Sequence, residues 1–110
     1  MNKFELYCMI FYFLDAEYDE NKSKALGDFL SGANPFLFTD IGSADPAIYV
    51  DFCNKVPEKI KLENSLNIAS EYIESLKNDV VSLAFDAVNQ DEWFECVKEY
   101  LLSEHKGSHI

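Results

Sequence analysis

Residues 3–20, KFELYCMIFYFLDAEYDE, are the stretch whose reading decides the fold. Phe4, Tyr7, Cys8, Phe11, Leu14 and Tyr18 recur at three- and four-residue spacing on one side. Leu6, Met9, Ile10 and Phe13 fill a second side. A half-buried strand would alternate apolar and polar, and Cys8-Met9-Ile10-Phe11 does not alternate, so the spacing predicts a helix from Lys3 to about Glu20. Apolar on most of its circumference, such a helix belongs in the middle of a domain, with other helices on more than one side. The run from Phe4 to Leu14, interrupted only by Glu5, is too short to span a bilayer at about 1.5 Å per residue. Acids follow it rather than a small-residue cleavage site, which argues against a signal peptide.

The segments downstream carry the same period. Ser23 to Leu30 is a short helix with Leu26, Phe29 and Leu30 inside, ended by Gly32, Asn34 and Pro35. In the link that follows, Phe36 and Phe38 are expected to plug a gap between helices. Asp40 to Asp45 is a turn, with Gly42 at a special backbone angle. Asp45 can accept orphan amide bonds as a helix cap, and Pro46 suits the first helical position because it lacks the donor wasted there. Pro57 stops that helix, whose stripe is Ile48 or Tyr49, Phe52, Cys53 and Val56.

Leu62, Leu66, Ala69, Ile73, Leu76, Val80, Leu83 and Ala87 then recur at spacings of 4, 3, 4, 3, 4, 3 and 4. This seam is one long helix, or two joined near Lys77-Asn78-Asp79, and serves as the spine of a bundle or as a dimer contact. A last helix, capped by Asp91, runs from Glu92 to about Glu104 and buries Trp93 or Phe94, Val97, Tyr100 and Leu101. Residues 105–110 read as a frayed polar tail. The expectation is one all-α domain over residues 1–110, an irregular bundle of about five helices around an aromatic-rich first helix.

Charge narrows the partners. Twenty acids against nine bases, all of them lysine, give −11 over 110 residues. The excess is even: nine acids and four lysines in residues 1–55 leave −5, and eleven and five in residues 56–110 leave −6. Such a chain repels phosphate backbones and anionic lipid, which disfavours nucleic acid and membranes and favours basic proteins or cations. Cys8, Cys53 and Cys96 are odd in number and lie far apart in apolar helical contexts, as reduced thiols of a cytoplasmic protein do.

Motifs for chemistry are few. His105 and His109 sit four apart with Gly107 between them and no nearby thiol, a poor zinc pattern. Asp15, Glu17 and Asp19 open like a calcium loop, yet Glu20 stands where that loop needs glycine and Leu26 where it needs a bidentate Glu. Nucleotide-binding, nucleophile-elbow and zinc-hydrolase motifs are missing, so neither a cofactor nor an enzyme is expected. A small hydrolase would have to pair carboxylates such as Glu71, Glu74 and Asp79 across a groove.

The loop from Asn34 to Pro46, NPFLFTDIGSADP, has more local detail than a helix connection requires. Together with the acidic helical character and the aromatic first helix, residues 34–50 resemble small bacterial proteins of immunity-type or uncharacterised function. The resemblance implies a protein that binds and neutralises a cognate toxin, often a basic nuclease, and it assigns no functional residue. The expected binding surface is acidic and lies at one of three places: Asp15, Glu17, Asp19 and Glu20 at the end of the first helix, Asp40 and Asp45 in the loop, or Glu92, Glu95 and Glu99 on the last helix, with an exposed Tyr or Phe as anchor. The alternative is a structural or regulatory homodimer sharing the 62–87 seam or the first helix.

Overall fold

The computed structural model describes residues 1–37 and 40–108, and every described segment of regular structure is helical. Six helices follow one another: α1 (Lys3–Asn21), α2 (Lys24–Ala33), α3 (Pro46–Lys55), α4 (Leu62–Ser75), α5 (Asp79–Asp86) and α6 (Gln90–Leu102). The sixth element comes from the 62–87 stretch, which divides in two. Among the described residues no helix is long and apolar enough to cross a membrane.

α1 is the central rod, packed against α2, α3, α4 and α5. Every residue from Phe4 to Phe11 is buried, as an all-round apolar helix demands. Asn2 starts it. Its side chain accepts from the Glu5 amide at 2.7 Å, and Glu5 accepts in return from the Asn2 amide at 2.8 Å, so two orphan donors are satisfied together. At the other end Lys22, left-handed at φ 54°, donates its amide to the Tyr18 carbonyl. α2 begins at the Ser23 cap and continues through Gly32 to Ala33, past the expected stop. Its Gly27 lies under the Tyr18 ring, where a Cβ would come within 2.9 Å, so the glycine lets α1 and α2 close up.

Asp45 caps α3 by accepting from the Ala47 amide, and Pro46 opens the helix. Gly42 has φ 152°, a conformation that side chains avoid. The expected aromatic plugs differ. Phe36 is 39% exposed and Pro35 is the buried residue of the link, while Phe38 lies outside the described residues.

The seam of residues 62–87 changes phase at the joint. In α4, Ala69 and Ile73 are buried as expected, with Ser65 and Tyr72 beside them. Lys77 then takes a left-handed angle of 52°, and Asn78 caps α5 by accepting from the Val80 and Val81 amides. A fresh cap starts a fresh axis. α5 consequently buries Val81, Ala84 and Phe85, and the seam's Leu83 is 71% exposed. Asn89, rather than Asp91, caps α6; Asp91 sits in the first turn, where its charge suits the helix dipole. Trp93 and Val97 are buried, and Leu101 is exposed. The Trp93 indole donates to Ser65 Oγ at 3.0 Å, and Ser65 donates to the Leu62 carbonyl, so the largest core side chain leaves no polar atom unmatched. Cys8 is buried, Cys53 and Cys96 are half-buried, and all three are free thiols.

Residues 103–108 dock where fraying was expected. The His105 ring stacks on Tyr100 with centroids 3.9 Å apart. One ring nitrogen lies 2.7 Å from Glu5 Oε2 and the other 2.7 Å from the Ser103 carbonyl. Both neighbours carry lone pairs, and a ring with a proton on each nitrogen donates to the two together. Asn2 donates to the Gly107 carbonyl at 3.1 Å, and Lys106 reaches the Pro35 carbonyl while lying over the Phe4 ring. A buried carboxyl group thus gains a hydrogen-bonding partner from the far end of the sequence.

Candidate functional site

The cover over α1 is incomplete. α6 packs on α4 and reaches α1 chiefly through long aromatic side chains, with Phe13 against Trp93 at 5.1 Å and Tyr12 edge-on to Tyr100 at 5.9 Å. Rings of that size hold the two helices apart. Between them runs a groove of about 500 Å³ lined by Met9, Tyr12, Phe13, Ala16, Glu92, Cys96, Glu99, Tyr100 and Ser103. A second cleft of about 180 Å³ shares Phe13, Ala16 and Glu92 with it and adds Glu17, Glu20, Ala84, Ala87 and Val88. The two form one channel along the outer side of the C-terminal half of α1.

Its chemistry has two parts. The floor is apolar: Met9, Phe13, Ala16 and Cys96, with Tyr12 42% exposed at one side. The carboxylates divide between the clefts: Glu92 and Glu99 on α6 line the groove, Glu17 and Glu20 on α1 line the adjoining cleft with Glu92, and among the described residues no lysine lines either. Tyr12 also stacks on Phe36 at 5.2 Å, which carries the apolar surface from the groove to the 34–46 loop. That loop is held by bonds from the Ala44 and Asp45 amides to the Asn34 and Gly32 carbonyls, and by Ser43, which donates to the Asp45 carbonyl and accepts from the Tyr49 amide.

Thiol and phenol groups near the groove are poor acids. Burial pushes Cys8 up to about 12. Burial also raises Cys96, helped by Glu92, Glu99 and Glu95, and it raises Tyr12 and Tyr100. The groove therefore presents neutral thiol and hydroxyl groups beside its glutamates.

Four of the nine acids expected to form a binding surface, Glu17, Glu20, Glu92 and Glu99, come together here. Glu95 is exposed on α6 beside Lys98 at 4.0 Å, and Asp19 is exposed beside Lys22 at 3.7 Å. Asp15 lines a different cleft, with Lys24, Asp28 and Ser31 between α1 and α2. Asp40 belongs to a hollow of about 220 Å³ by the loop, and Asp45 is committed to capping α3. Residues 15 to 20 divide between two clefts because α1 turns their side chains around its axis. Sequence reasoning missed the floor. Met9 and Phe13 were legible as a second apolar side of α1, but that this side lacks a covering helix was not.

Glu71, Glu74 and Asp79, the carboxylates considered for hydrolysis, are exposed and line neither cleft. Glu92 and Glu99 both line the groove but stand seven residues apart on one helix, about 10.5 Å along its axis. His105 is engaged by Glu5 and Ser103, and His109 lies outside the described residues. Among the described residues no three His, Cys, Asp or Glu side chains gather as a metal site would require. Comparison with known proteins finds no protein family, curated sequence or solved structure that matches this chain.

Proposed function

We propose that this chain is an acidic protein-binding module of the cytoplasm whose groove between α1 and α6 receives a basic protein, and that it acts as an immunity protein neutralising a cognate toxin. One observation supports the binding surface above others: an apolar, aromatic floor lies beside Glu92 and Glu99, with Glu17 and Glu20 in the adjoining cleft and no lysine among the described residues lining either. Apolar floors supply affinity, whereas the anionic rim steers a basic partner in and excludes acidic competitors. The net charge of −11 extends that steering beyond the groove. The toxin-neutralising role rests on the resemblance of residues 34–50, whose Phe36 continues the aromatic surface.

The test is capture of a partner from the parent cell at low and high salt, followed by reconstitution with the purified partner. The expected result is a basic protein bound tightly at low salt and inhibited stoichiometrically. Absence of a basic partner in both salts would overturn the reading.

Self-association has its own supporting observation: Leu83 on α5 and Ala87 just after it stand exposed where the heptad seam expected them inside. Light scattering over a dilution series decides it: a monomer at micromolar concentration removes the homodimer.

A further inference from the structure

We infer that the partner enters the groove as an amphipathic α-helix carrying lysine or arginine beside an apolar stripe. This rests on the binding role proposed above and specifies the element that docks. Three features of the groove favour a helix over an extended segment.

The walls are helices whose backbone groups are already bonded within α1 and α6. An extended peptide pairs its amides with a sheet edge, and the described residues contain no strand. Laid on Met9, Phe13, Ala16 and Cys96, it would leave those amides unmatched against apolar surface. A helix brings its own hydrogen bonds.

The charges are spaced for a helix. Glu92 and Glu99, two turns apart on α6, both line the groove and stand about 10.5 Å from each other along the helix axis. Glu17 and Glu20 of α1 line the adjoining cleft, which shares Phe13, Ala16 and Glu92 with the groove. Basic side chains two turns apart beside the apolar stripe of a docked helix match Glu92 and Glu99. Ala16, finally, is the smallest side chain of the floor and borders both clefts, so it marks where a helix axis passes closest to α1.

The experiment uses a synthetic amphipathic peptide of about five helical turns, with a Leu/Trp stripe flanked by Lys. A partner peptide of the same composition has two central prolines that break the helix. Binding is followed by calorimetry, and occupancy of the floor by protection of Cys96 from a maleimide in a Cys53→Ser background, where the buried Cys8 stays silent. The expected result is at least tenfold tighter binding of the helical peptide, slowed labelling of Cys96, and at least tenfold weakening by Ala16→Leu, a change at an exposed helical site that leaves the fold intact. Equal binding of both peptides with Cys96 unprotected, or no binding of either, would overturn the helical inference. Neither result touches the acidic-module reading, which stands or falls on the reconstituted basic partner. Protection of Cys96 in the peptide-free protein, lost on dilution, would also overturn it by assigning the groove to a second copy of this chain.

Discussion

The two halves of α1 are written in nearly the same alphabet and meet different fates. From Phe4 to Phe11 every side chain is covered, by α3 and α4 and by residues 103–108 folding back over the helix start. From Tyr12 to Glu20 only Leu14 is fully buried, and Tyr12, Phe13 and Ala16 face the channel. Apolar residues in the first half are structural because something sits on them. In the second half the same residue types form a surface, because α6 is propped away by its own aromatic rings. Residue type alone does not divide core from site; the position of the next helix does.

The covered half should control global stability at alkaline pH. Burial raises Tyr7 and takes Tyr72 up to about 12, and Cys8 also to about 12. Each of these folded-state values exceeds its unfolded value, so the stability these groups confer is complete below pH 9 to 10 and is lost as pH climbs toward 12. Helical circular dichroism and tyrosinate absorbance should therefore change together. Ionisation of all six tyrosines with the helices intact would erase the distinction between the halves.

Truncation sharpens the comparison next. Phe4→Ala, in the covered half, should cost about 3–5 kcal/mol in denaturant unfolding because it opens a cavity beneath α3 and the docked tail. His105→Gln is the intermediate case. It withdraws the imidazole from buried Glu5, which keeps its bond from the Asn2 amide, and should cost about 1–3 kcal/mol. Protection of the Asn2 and Glu5 amides from hydrogen exchange should fall in that variant.

Tyr12→Ala, in the open half, should change stability by less than about 1 kcal/mol while weakening capture of a basic partner. Equal costs for Phe4→Ala and Tyr12→Ala would break the comparison.

Sequence reading recovered what is decided locally. The three- and four-residue recurrence in α1 identified a helix, and Asp45-Pro46 marked the start of α3 to the residue, because a cap and a missing donor act within one turn. It faltered where one residue resets a longer pattern. A joint near Lys77-Asn78-Asp79 is one of two readings of the seam, and the helices part there. The spacing of Val80, Leu83 and Ala87 does not show that Lys77, turning left-handed, changes the phase and leaves Leu83 exposed. Contacts across the whole chain were invisible for a related reason. Glu5 looked like a lone charge interrupting an apolar run, and its partner His105 lies a hundred positions away. The groove was partly legible: the acids of its rim were named, but its floor depends on how far α6 stands from α1, a distance set by the packing of Trp93 on Phe13 and Phe85.

The clasp between Asn2 and Gly107 makes the fold a near-closed ring. Closing a loop of that length is among the costlier entropic steps for a flexible chain, although its cost grows only slowly with length. A short glycine-serine bridge joining the two positions would convert that closure into a covalent given. The ring could then be cut open at a surface turn and reread from a new first residue, with α1 in the interior of the permuted sequence and its oily first half sheltered from the outset.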